Sequence, residues 1–81
     1  MQELDVRPIP PRQKHPTIHE TLRGLSEGGT LRLINDHDPR PLRFELDADY
    51  PEVFGWEYVE SGPEIWRVDI SKRSAMPPAA H

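Results

Sequence analysis

The sequence predicts an α+β fold, a two-layer sandwich with two helices on one face of a four-stranded mixed sheet. Three observations predict it. Apolar periodicity runs in the order strand, helix, strand, helix, strand, strand. The last two strands are joined by about four residues, the spacing of an antiparallel hairpin. A strand–helix–strand unit pairs its strands in parallel through a right-handed crossover. At 81 residues the chain holds one domain. A domain of that size buries only about 60% of its unfolded surface, so it builds one small core.

The first strand is expected at Glu3–Val6, with Leu4 and Val6 on one face and Glu3 and Asp5 on the other. Arg7–Lys14 carries Pro8, Pro10 and Pro11 and reads as an extended loop. A helix is expected over His15–Leu25, with Pro16 at its first position and Ile18, Leu22 and Leu25 as its apolar stripe. Gly28-Gly29 breaks the chain before the clearest strand, Thr30–Asn35, where Leu31 and Leu33 oppose Arg32 and Ile34. Asp38 before Pro39 reads as an N-cap followed by proline at the first helical position. The second helix is expected to run to Asp49, with Leu42 and Leu46 inward and Phe44 packed on a flank. Gly55–Glu60 and Ile65–Ser71 form the hairpin, with Trp56, Tyr58, Trp66, Val68 and Ile70 toward the core. The domain is expected over residues 1–73, and Ser74–His81 as a disordered tail.

Composition excludes whole classes of chemistry. Lys and Arg total ten against fourteen Asp and Glu, a formal net charge of -4, which argues against a general nucleic-acid binder. No cysteine is present, which removes disulfides, thiolate nucleophiles, persulfide carriers and Cys metal sites. No apolar run approaches the roughly 20 residues of a membrane span. The N-terminus lacks the pattern of a secretory signal, so the cytoplasm is the expected compartment.

The strings LDVRPIPPRQKHPTI, LRLINDHDPRPLRFEL and FGWEYVESGPEIWRVDISKR resemble the DUF2249 family of small uncharacterised bacterial proteins, over residues of about 4–73. The resemblance implies a fold similar to the TusA/SirA sulfur carriers and hence a strand order of 1-2-4-3. It also brings an association with hemerythrin-like domains, and so with iron, oxygen or nitrogen-oxide physiology. Sulfur carriers of that kind place a reactive cysteine in a Cys-Pro-x-Pro motif at the start of the first helix. The matching stretch here is His15-Pro16-Thr17-Ile18, with His15 in the cysteine position. Imidazole supplies no sulfur nucleophile, so persulfide transfer is excluded.

Two constellations carry chemistry. His15 and His19 lie four apart on the expected helix, and the β-α-β topology brings Asp36 and His37 to the same sheet edge. Imidazoles with a carboxylate suit a divalent transition metal. Against this, Asp38 serves as a cap, Asp36 as a turn residue and His15 as a helix-start residue. The second constellation is basic: Arg7, Arg12, Lys14 and His15, with Arg40 and Arg43 at the second helix, around two helix N-termini. Arginines outnumber lysines eight to two, which favours bidentate recognition of an anion. Exposed arginines also solubilise a surface rich in acids. Glu20 and Glu45 read as exposed helix positions, and no Ser/His/Asp arrangement or phosphate loop is present.

The leading expectation is a non-catalytic binding or accessory module that uses the His15 and Asp36–Arg40 edge for a small anion, a metal or a partner protein. One alternative is a His-ligated metal protein linked to redox or nitrogen-oxide metabolism. The other is a docking module in sulfur relay. By resemblance, a partner would be a hemerythrin-like or sulfur-relay protein; no nucleic acid and no membrane is expected.

Overall fold

The computed structural model describes residues 1–76. The elements follow in the order β1 (Gln2–Asp5), α1 (Pro11–Gly24), β2 (Thr30–Asn35), α2 (Arg40–Asp49), β3 (Phe54–Ser61) and β4 (Trp66–Lys72). The sheet order is β1-β2-β4-β3. β1 runs parallel to β2, while β4 is antiparallel to both β2 and β3. The fold class and strand order are those expected.

Alternation in the strands decides which residues meet the helices. Leu31, Leu33, Val68 and Ile70 are fully buried, together with Val6, Leu22 and Leu46. Burial of each such side chain contributes roughly 1.5–3 kcal/mol. The opposite face is polar, and register places Glu3, Arg32, Asp69 and Glu57 side by side across all four strands. Arg32 grips Asp69 through two hydrogen bonds of 2.8 and 3.1 Å. A bulge between Tyr58 and Glu60 brings Glu60 opposite Arg67, and the two side chains pair.

Four expectations are corrected. α1 starts at Pro11, so Arg12–Lys14 is helical rather than an extended loop. Pro10 takes the N-cap position with φ -56° and ψ 142°, an extended conformation that its ring and the following Pro11 both favour. Pro16 therefore lies inside the helix, where its missing N–H leaves the Arg12 carbonyl without its helical partner. At α2 the N-cap is Pro39 rather than Asp38; Asp38 sits one residue earlier and accepts the Arg40 N–H at 3.1 Å in an Asx-type turn. Phe44 packs on no flank and is 63% exposed.

The hairpin connection closes tightly. Gly62 has φ 71°, and a Cβ there would meet the Trp66 ring at 2.8 Å, so only glycine fits. Trp56, Tyr58 and Trp66 stack edge to face on the core side, as expected. The expected tail falls partly on residues 77–81, which lie outside the described residues; within it, Met76 packs against the core.

Candidate functional site

β2 carries Leu31, Leu33 and Asn35 on its helix-covered face. The first two are the core; the third is a polar residue in the same slot, 6% exposed. Its Oδ1 accepts the Asp36 N–H at 2.8 Å, which fixes the amide so that Nδ2 is the free end. Nδ2 makes no hydrogen bond among the described residues. Asn35 lines a cleft of ≈ 330 Å³ between the first half of α1, the end of β2 and the start of α2. Ile18, Leu33, Leu42 and three prolines, Pro11, Pro39 and Pro41, make its walls apolar. Lys14, His15 and His37 supply its other polar groups.

The β2–α2 turn is held rigidly from below. Asp38 accepts the Tyr58 hydroxyl at 2.7 Å as well as the Arg40 N–H, so its carboxylate is committed to structure. Asp36 and His37 pair with each other at 2.7 Å on the exposed outer side of the turn. The hydrogen bond from His37 holds the Asp36 carboxyl below its ordinary range, with the charge of Lys14 adding to the effect.

The basic residues expected to gather an anion are dispersed. Arg7 folds back on Asp5 in a bidentate pair of 2.9 and 2.6 Å, which lowers the Asp5 carboxyl to about 2. Arg12 is exposed on α1, and Arg40 leans on Asp38 at 3.7 Å. Arg43 lies 4.0 Å from Asp47 on its own helix. Lys14 and His15 alone of the expected anion ligands line the cleft. The start of α2 offers no free N–H: Arg40 donates to Asp38, Pro41 has none, and Leu42 and Arg43 both donate to Pro39. The N-terminus of α2 therefore has no N–H left for an anion.

The histidines divide into two groups. His15 and His19 lie on one face of α1, as their spacing requires, and that face meets Glu45 of α2. His19 Nε2 is 2.7 Å from Glu45 Oε1, and His15 Nδ1 is 3.6 Å from Glu45 Oε2. Glu45, expected to stand exposed, is half-buried between the helices. Asp36 and His37 stand apart from this trio as a pair of their own. Asn35 and Glu45 were missed by sequence reasoning. Asn35 had a signal, a polar residue in the period-two register of a core strand; Glu45 had none, since its partner lies 26 residues away.

The cleft lining contains no hydroxyl and no thiol, so it offers no covalent nucleophile beyond the Lys14 amine and the imidazoles. An apolar wall with a few directed polar groups is the lining small-molecule sites have. No helix among the described residues is long and apolar enough to cross a membrane. No curated protein and no solved structure matches the chain. A family profile does, over residues 3–72. The chain belongs to the family described as uncharacterized conserved protein DUF2249.

Proposed function

We propose that the domain is a non-catalytic binding module that takes a small organic carboxylate in the cleft between α1 and the β2–α2 turn. The supporting observation is Asn35, a buried amide whose Nδ2 faces a cleft lined by apolar side chains with no partner of its own. Nδ2 is open to the cleft, and a carboxylate oxygen there accepts a charge-assisted hydrogen bond worth on the order of 1.5–3 kcal/mol. Lys14 provides the charge that a carboxylate needs, and His15 and His37 provide further donors. The volume selects the ligand's size. At ≈ 330 Å³ the cleft is at the small end of organic-ligand pockets and far larger than one inorganic oxyanion requires. The apolar walls from Ile18, Leu33 and Leu42 suit a carbon skeleton behind the carboxylate.

The relation to TusA-like sulfur carriers belongs to this proposal as a matter of fold plan. A sulfur carrier needs a thiol, and this chain has no cysteine. The position the resemblance matches to that thiol, His15, lies inside α1 and lines the cleft, which would put it in the wall of the proposed binding site.

The test is an NMR titration of metal-free, tag-free protein with aliphatic and aromatic monocarboxylates, with phosphate and nitrite as inorganic comparators. Saturable shifts at Lys14, Asn35 and His37 are expected with the carboxylates. Asn35→Asp keeps the Oδ1 acceptor and replaces the donor by a charge, so it should weaken binding at least about tenfold, the equivalent of about 1.4 kcal/mol. Binding that Asn35→Asp and Lys14→Gln both leave unchanged, or no saturable response to any carboxylate, would refute the proposal.

A further inference from the structure

The seam between the helices carries a second site, separate from the cleft ligand. We infer that His15, His19 and Glu45 form a divalent transition-metal site with a two-histidine, one-carboxylate donor set. One donor atom from each residue lies within 4.8 Å of the other two. Four-coordinate zinc with bonds of about 2.1 Å places its ligand atoms about 3.4 Å apart. His19 Nε2 lies 2.7 Å from one Glu45 oxygen and His15 Nδ1 lies 3.6 Å from the other. The three donors have to draw together by about 1 Å at most onto one ion, and His15 is free to move because its side chain is 59% exposed.

An ordinary structural role explains part of the trio and leaves the rest. The His19–Glu45 hydrogen bond ties α1 to α2 and is sufficient for that purpose, with both side chains partly buried. His15 adds no hydrogen bond to the tie. It lies beyond hydrogen-bond distance of Glu45 and supplies little packing, yet it presents a nitrogen to the second carboxylate oxygen. The two oxygens of Glu45 thus face two different imidazoles. Two nitrogens and one carboxylate suit zinc, nickel, copper or ferrous iron, and calcium and magnesium are disfavoured because they prefer oxygen. The set supplies three ligands, so a bound metal keeps an open coordination position.

This inference does not depend on the carboxylate cleft. His19 and Glu45 do not line the cleft, and His15 is the residue the two sites share. A metal held here would sit at the cleft's edge, within reach of a ligand bound beside it.

The experiment is calorimetric titration of tag-free protein with Zn²⁺, repeated with Ni²⁺, and in parallel the thermal midpoint with and without metal. One-to-one saturable binding with a raised midpoint is expected. His15→Ala should weaken Zn²⁺ at least about tenfold, and its exposure keeps the fold intact. Glu45→Gln should do the same while its amide oxygen continues to accept from His19; His37→Ala and Asn35→Asp should leave the affinity unchanged. Absence of saturable Zn²⁺ and Ni²⁺ binding overturns the inference. So does unchanged affinity in His15→Ala, or loss of binding in His37→Ala in place of Glu45→Gln, which would move the site to the Asp36–His37 turn. Failure of Asn35→Asp to affect the carboxylate, with these metal results intact, would count against the cleft proposal alone.

Discussion

Lys72 shows how one side chain can complete an element distant from it in sequence. It is 5% exposed at the end of β4, and its ammonium donates to the carbonyls of Leu22, Arg23 and Leu25 at 3.1, 3.1 and 2.7 Å. Those carbonyls close the last turn of α1, where the helix dipole is negative and the one backbone donor, the Leu25 N–H, reaches only Leu22. The cation thus replaces the glycine cap that α1 lacks. Lys72→Met retains the aliphatic stem and strips the charge, leaving the Arg23 and Leu25 carbonyls without that donor while Leu22 keeps the Leu25 N–H. A loss of roughly 2–4 kcal/mol is expected, read from urea unfolding at neutral pH. A loss under about 0.5 kcal/mol would mean that water takes over the carbonyls without penalty. The candidate site obeys the same logic. The pair His15–His19 follows from helical spacing, and Asn35 carries an unread signal in the period-two register of β2, whereas Lys14 was expected in a loop and belongs to α1. Glu45 and Lys72 acquire their roles from partners 26 to 50 residues away, and no local pattern encodes such a pairing.

Among the elements, strands and hairpin were the most legible, because a half-buried sheet stamps a period of two on its residues and the stamp survives in Leu31, Leu33, Val68 and Ile70. Helix starts were less so, because proline fits several places. Pro16 mimics a first helical residue, yet Pro10 and Pro11 occupy the true start, and Pro16 is tolerated in the interior at the cost of one backbone bond. The end of α2 holds a subtler mismatch. Tyr50-Pro51-Glu52-Val53 closes with Val53 N–H donating to the Tyr50 carbonyl at 3.2 Å, and Glu52 has φ 64°. Proline followed by a residue of positive φ is the pattern of a type II turn, which favours glycine at the position Glu52 holds. An L residue in that region costs about 1–2 kcal/mol, and glycine gives back about 0.4–1 through the greater freedom of its unfolded chain. Glu52→Gly is therefore expected to stabilise by about 0.5–1 kcal/mol in the same urea assay. Destabilisation would show that the Glu52 side chain contributes more than the turn loses by holding it.

At the scale of the whole molecule, both helices depend on the sheet. α1 buries Ile18 and Leu22 and α2 buries Leu42 and Leu46 in one cluster with Leu31, Leu33, Val68 and Ile70. Each helix supplies only two fully packed residues; α2 is ten residues long, below the roughly 12–15 an isolated helix needs, and α1, at 14, carries Pro16 in its interior. Without the sheet they should melt. The sheet in turn needs them to cover its apolar face. Such mutual dependence predicts a single cooperative transition, and the placement of the chromophores makes it testable. Trp56 and Trp66 both lie on the β3–β4 hairpin, so tryptophan fluorescence reports the hairpin and its packing on the core. The helical band of circular dichroism reports α1 and α2. Urea transitions followed by the two probes should superimpose, with a slope on the order of 1 kcal/mol per molar for a domain of this size. If the helical signal were lost first while the tryptophans kept their folded emission, the hairpin would be a stable unit and the helices a separable cover. The cleft and the histidine seam, both built on α1 and α2, would then exist only in the more stable of two folded states. Superposition ties the sites to the global fold, so that metal or carboxylate binding should raise the one transition as a whole.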